Sequence, residues 1–127
     1  MKKIITTPLA PAPVGPYNQA VMINDTLYVS GQIAIIPATG ALSLTTIEEE
    51  TKQVMENLKA ILSEAGLRFE NVVKTTIFLS DMEMFSRVNA IYGQYFDADK
   101  APARETVQVA NLPKYVNVEI SCIAVKF

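Results

Sequence analysis

The sequence predicts an α+β domain in which two helices pack on one face of a six-stranded mixed sheet. Three observations predict it. Two segments, about 47–65 and 80–96, repeat their apolar residues at helical spacing, and shorter runs are β-branched or alternate apolar with polar. These segments follow one another in the order ββαβαββ. The 127 residues, half of them hydrophobic and 19% charged, suffice for one domain, 1–127, with its own core.

Residues 8–16 (PLAPAPVGP) read as an ordered, extended loop, because proline fixes φ and removes amide donors. Strand-like runs follow at about 18–23 and 26–33, joined by Asn24-Asp25 as a hairpin turn. Pro37 to Gly40 make a second turn. The period then changes: Ile47, Thr51, Val54, Met55, Leu58, Ile61, Leu62 and Ala65 share one helical face. Thr45-x-x-Glu48 reads as the capping box of this helix and Gly66 as its C-terminal stop.

Residues 71–79 (NVVKTTIFL) read as a strand, since branched side chains suit a pleated surface. Ser80-x-x-Glu83 opens a second helix to about Phe96, with Phe85, Val88, Tyr92 and Phe96 as its apolar stripe. Strands at about 103–110 and 115–125 close the chain, with Leu112-Pro113-Lys114 at the turn. Along the last strand Val116, Val118, Ile120, Cys122 and Ala124 point one way and suit the helix side. Asn117, Glu119, Ser121, Ile123 and Val125 point the other way. That second face is half polar in an apolar chain, which predicts burial against further copies, a homo-oligomer.

Composition narrows the chemistry. The chain has no histidine, which removes Ser-His and Cys-His catalysis and His-ligated zinc. Its single cysteine, Cys122, precludes an intrachain disulfide and a Cys-rich metal site, and its place on the apolar face suits inert core. Five glycines at 15, 31, 40, 66 and 93 write neither a G-x-G-x-x-G fingerprint nor a P-loop. Any catalysis must then come from carboxylates, Lys, Arg, hydroxyls, backbone groups and water. The net charge is −2, and Arg68, Arg87 and Arg104 lie far apart, which weighs against a nucleic-acid partner. Lys2-Lys3 with Ile4-Ile5 is too short for a leader and no stretch reaches membrane-span length, so a soluble cytoplasmic protein is expected.

The remaining candidates are few. Arg104 opens a strand after Ala101-Pro102-Ala103 and shares its face with Thr106 and Gln108. Its planar fork suits a carboxylate ligand or a structural ion pair. Glu119 sits mid-strand between Val118 and Ile120, where a carboxylate is costly, so it either pairs with Arg104 or a lysine or serves as a general base. Tyr17 closes the proline-rich loop, packing on the sheet or on a ligand. In Ser30-Gly31-Gln32 the glycine allows close approach to a ligand or marks a bulge. Asn89 on the second helix reads as a cap or an interface hydrogen-bonding residue.

The stretches GPYNQA (15–20), LYVSGQIAIIPATG (27–40), VNAIYGQYF (88–96), APARETVQVANLP (101–113) and VNVEISCIA (116–124) closely resemble the RidA family, also called YjgF/YER057c/UK114. The resemblance is collinear over essentially the whole chain. It implies a chorismate-mutase-like fold and a homotrimer with ligand clefts between subunits. It also implies an enzyme, a 2-iminoacid deaminase that hydrolyses 2-aminoacrylate/2-iminopropanoate and 2-iminobutanoate to 2-oxoacid and ammonia.

On that resemblance Arg104 grips the substrate carboxylate, Glu119 holds and deprotonates water, and Tyr17 walls the cleft. Gly31 and Thr106 orient the imine through their backbone, with Ser30 and Asn89 as further substrate contacts. Relatives often carry cysteine at the place of Thr106 and a small residue at that of Glu105; strand alternation turns Glu105 away from Arg104. Two other classes remain open: a module that binds 2-oxoacids or amino acids without fast turnover, and a ribonuclease or translation inhibitor.

Overall fold

In a computed structural model describing all residues from Met1 to Phe127, the chain forms one mixed sheet with two α-helices. The strands are β1 (Lys2–Ile5), β2 (Ala20–Ile23), β3 (Thr26–Gln32), β4 (Val72–Leu79), β5 (Ala103–Gln108) and β6 (Val118–Val125). The helices are α1 (Ile47–Glu64) and α2 (Phe85–Tyr92). The sheet order is β1-β2-β3-β6-β4-β5, antiparallel throughout except for the parallel pair β4–β5. The ββαβαββ runs supply five of the six strands. The sixth is Lys2–Ile5, too short to show periodicity and held at the edge by pairing with Ala20–Ile23.

Several boundaries shift from the expectation. The N-cap of α1 is Thr46, not Thr45: its hydroxyl accepts from the Glu49 N–H at 3.1 Å. At the other end Gly66 adopts φ +76°. Its N–H reaches the Ser63 carbonyl, and the Leu67 N–H reaches that of Leu62, both at 2.9 Å. This is a Schellman stop, which glycine forms without strain. The second helix is shorter than 80–96. A 3₁₀ turn at Met82–Met84, capped by Asp81, precedes α2, and a second at Gly93–Tyr95 follows it. The last two strands begin or end inside their expected bounds. The segment before β6 is a 3₁₀ turn, Pro113–Tyr115, in which both Lys114 and Tyr115 have φ +55°.

The core lies between the helices and one sheet face. Val54, Met55, Leu58, Ile61 and Leu62 of α1 are fully buried. They meet Val118, Ile120, Cys122 and Ala124 of β6 together with Ile77 and Leu79 of β4. On α2 Val88 and Tyr92 are buried, while Phe85 and Phe96 pack partly buried against the same cluster. Arg87 joins the helices across their surface by two bonds to Glu48, at 2.8 and 2.7 Å. The alternate face of β6 (Glu119, Ser121, Ile123, Val125) is half-exposed, and no element of the chain covers it. Tyr28 and Val107 lie on the same open face through their pairings with Ile123 and Phe78. No helix is long and apolar enough to cross a membrane.

Candidate active site

The predicted site residues fall into two groups on opposite faces of the sheet. The first group surrounds Glu119. Gln19, buried in the loop before β2, accepts from the Thr7 N–H at 2.7 Å. It also donates to the carbonyls of Thr7, Ala10 and Pro11. These bonds hold the proline-rich segment, which cannot hydrogen-bond through its own proline nitrogens, against the sheet. The Tyr17 hydroxyl accepts from the Val14 N–H at 3.4 Å and the Tyr17 N–H donates to the Gly15 carbonyl at 2.9 Å. Gly15 has φ +113°, a conformation that excludes ordinary side chains at this bend. Ser30 ties the loop down: its hydroxyl donates to the Asn18 carbonyl at 2.6 Å.

The pairing of β3 with β6 slips between Val29 and Gln32, so Ser30-Gly31 bulge out. The bulge makes room for Glu119. A β-carbon on Gly31 would lie 2.8 Å from the Glu119 Cδ and 3.1 Å from its Cγ. Glycine leaves the space that Glu119 occupies; of the two uses foreseen in the sequence the bulge is observed, and the close neighbour is a side chain of the same chain. The carboxylate faces a cavity of about 290 Å³ lined by Pro11, Val14, Tyr17, Gly31, Lys114 and Glu119, among others. Glu119 forms no ion pair, and its half-burial raises the carboxyl above its ordinary range. A carboxylate so placed can accept a proton from water more readily than a fully solvated one.

The second group surrounds Arg104. Strand β5 places Arg104 beside Thr75, whose hydroxyl bonds the Tyr92 hydroxyl at 2.7 Å beneath α2. Arg104 thus projects to the helix side. Its guanidinium stacks on Tyr92 and Phe85, 5.0 and 5.3 Å from the ring centroids. One Nη1–H donates to Asn89 Oδ1 at 2.6 Å. The rest of the fork is uncommitted and borders an open cleft of about 440 Å³ with Asn89, Gly93, Phe96, Ala101 and Pro102. Two residues along the strand, the Thr106 Oγ1 is buried without a hydrogen-bond partner.

The ion pair between Arg104 and Glu119 foreseen as one alternative does not form: Glu119 alternates with the buried Val118 and Ile120 and so faces away from the helices. Glu105 turns away from Arg104 as alternation requires, accepting from the Thr76 hydroxyl at 2.8 Å and lying 3.2 Å from the Lys74 ammonium. Cys122 is buried, which pushes its thiol up to about 12 and suits inert core. The structure brings Tyr17, Gly31 and Glu119 together with Ser30 behind them, and Arg104 with Asn89. It does not bring the two groups to one place in a single chain.

Sequence reasoning missed Glu50, fully buried on α1. It accepts from the Asn117 N–H and side-chain amide, both at 2.8 Å, and from the Val118 N–H at 3.1 Å. The signal was present: Glu50 lies three residues after Ile47 and four before Val54, on the apolar stripe itself. Lys114 was read only as a turn residue, although it lines the Glu119 cavity.

Comparison with known proteins adds relatives to this geometry. The family model described as Endoribonuclease L-PSP matches residues 7–126. The chain is 59% identical over 124 residues to a RutC family protein of Synechocystis sp., covering 97% of this chain and 95% of that one. It is 49% identical over 126 residues to the 2-iminobutanoate/2-iminopropanoate deaminase of Bos taurus, covering 99% and 91% of the two chains. Its fold superposes with a TM-score of 0.92 on E. coli TdcF with bound serine, at 41% identity over 98% of this chain and 99% of that one.

Proposed function

Since the chain belongs to the Endoribonuclease L-PSP family, which includes the RidA/YjgF proteins, we propose that it hydrolyses small 2-imino acids and their enamine forms to 2-oxoacids and ammonia. The substrates in view are 2-aminoacrylate/2-iminopropanoate and 2-iminobutanoate, in the cytoplasm and without cofactor or metal. Mammalian relatives named for this deamination support the reading. So does the serine bound by TdcF, a small molecule with the same carboxylate handle.

The observation that carries the proposal is the division of the site. Arg104 offers a free, pre-stacked fork on one face, and Glu119 offers an unpaired carboxylate on the other. A homotrimer in which one copy's Arg104 cleft meets the next copy's Glu119 cavity completes the site. It also covers the open sheet face.

In that cleft Arg104 holds the substrate carboxylate through two parallel N–H bonds, with Asn89 fixing the plane of the fork. Glu119 takes a proton from water, and the water oxygen bonds to the imine carbon. Glu119 returns that proton to the nitrogen, giving a neutral carbinolamine, whose hydroxyl proton then passes to the leaving nitrogen as ammonia departs and the carbon is left as a ketone. The Gly31 and Thr106 backbones orient the imine and the developing intermediate. Tyr17 walls the cleft, with Ser30 holding its loop. Imines hydrolyse in water unaided, so positioning and one base suffice.

The test supplies 2-aminoacrylate from a serine dehydratase and follows 2-oxoacid release. Acceleration by the wild type and none by Arg104→Ala is the expected result; equal acceleration by both contradicts the carboxylate grip.

The serine bound by TdcF also favours a second reading, a binding module for small carboxylates. Saturable binding of serine or 2-oxobutyrate without turnover identifies that case. For RNA cleavage the separated arginines and net charge of −2 offer no electrostatic track.

A further inference from the structure

We propose that Glu50 is a positioning residue for Glu119. The inference rests on the imine-hydrolase reading for its kinetic consequence, though not for its geometry. Glu50 is fully buried on α1 and no cation pairs with it. A buried carboxylate without a counter-ion is expensive unless donors satisfy it. Here one oxygen takes the N–H groups of Asn117 and Val118, at 2.8 and 3.1 Å, and the other takes the Asn117 side-chain amide at 2.8 Å.

These two residues immediately precede Glu119. They are also the point where the chain leaves a strained segment: Lys114 and Tyr115 both have φ +55°, which costs non-glycine residues about 1–3 kcal/mol each. Entering β6, Val118 pairs with Leu79 of β4, but pairing with β3 begins only at Ile120, so on the β3 side no strand holds the backbone of residues 117–118. Glu50 supplies that hold from the helix layer. Asn117 carries it further: its carbonyl accepts from the Ser80 N–H at 3.0 Å and its Oδ1 accepts from the Ser80 hydroxyl at 3.3 Å. One buried carboxylate thus locks α1, the end of β4 and the start of β6 into a single register.

The beneficiary is the next residue. The Glu119 carboxyl lies in the space that a β-carbon on Gly31 would fill, so a shift of its backbone changes where the carboxyl sits on the bulge. Lys114 and Tyr17 are the other titratable groups lining its cavity, and neither pairs with it to hold it in place.

The test compares Glu50→Leu and Glu50→Gln, in the wild-type background and with Glu119→Gln. The leucine variant is expected to lose about 10–100-fold in kcat with KM little changed, since the arginine grip is elsewhere. The glutamine carbonyl can keep both backbone bonds, and its amide can be satisfied by turning over the Asn117 side chain, so this variant retains most of kcat. With Glu119→Gln already present, Glu50→Leu is expected to cost nothing further, because its effect passes through Glu119. Equal losses in both backgrounds overturn the proposal, as does a glutamine variant as slow as the leucine one.

Glu119 is also titrated by carboxyl NMR in the wild type and in both Glu50 variants. Movement of its midpoint in Glu50→Leu but not in Glu50→Gln supports the proposal, and an unmoved midpoint in Glu50→Leu overturns it. This readout needs no turnover, so it decides the role of Glu50 even if the wild type fails to hydrolyse imines. Should Glu50→Leu not fold, Glu50→Asp, which keeps the charge but is too short to reach both backbone N–H groups, carries the same two comparisons; a loss of kcat dependent on Glu119 then supports the proposal, and no loss overturns it.

Discussion

The Glu119 carboxyl lies across the backbone of Gly31, at a bulge where β3 slips against β6. A methyl group on Gly31 would stand 2.8 Å from the Glu119 Cδ, closer than side chains tolerate. Gly31 does not have positive φ, so alanine fits its backbone and the strain falls on Glu119. Gly31→Ala is therefore expected to fold and to lose about 10–100-fold in kcat, the cost of a misplaced reacting group. Circular dichroism and steady-state 2-oxoacid release check the two halves of that statement.

The Arg104 guanidinium is pre-oriented by Tyr92, Phe85 and Asn89 before any ligand arrives. Lysine keeps the charge and loses the fork and the stack. Arg104→Lys is expected to raise KM roughly 10–100-fold, the worth of about 1.5–3 kcal/mol for a charge-assisted bond. Asn89→Ala should cost only about 0.5–1.5 kcal/mol, because the aromatic stack remains. Substrate-dependence curves for both variants separate these outcomes.

Burial raises the Glu119 carboxyl above its ordinary value of 4.5. The folded chain then binds that proton more tightly than the unfolded chain does. The group favours folding below its ordinary value and loses that contribution as pH rises through the raised one, so ionised Glu119 opposes folding at neutral pH. Glu119→Gln should melt above the wild type at pH 7, with the gap closing as pH falls below the ordinary carboxylate range. Activity runs the other way: the base must be ionised, so wild-type kcat/KM should fall about tenfold per pH unit below the raised value. Thermal melts and rates across pH 4 to 8 test both signs.

Much of this was legible in the sequence, for identifiable reasons. The α1 stripe, Gly66 and the alternation of β6 follow local periodicity, which the core enforces. Thr45 and Thr46 are chemically equivalent caps, and only the helix phase chooses between them. Lys2–Ile5 became a strand through partners 15 to 21 residues away in sequence, which no local pattern reports. At the site, alternation correctly turned Glu105 from Arg104. It could not place Arg104 and Glu119 relative to each other, because they lie on strands separated by β4, whose partners are set by topology. Glu50 was hidden for the opposite reason: acidic residues are ordinary in a first helical turn, and its two neighbours Glu48 and Glu49 are not buried as it is.

We propose that one chain holds two halves of the site and that different copies join them. Mixing Arg104→Ala with Glu119→Gln subunits tests it most directly. Each variant alone should keep only a small residual rate, but after unfolding and refolding together a cleft is intact when its arginine comes from one variant and its glutamate from the other. For random assembly of a closed ring that holds for about a quarter of the clefts, so roughly a quarter of wild-type activity should return. A refolded mixture no more active than either variant alone would contradict the account.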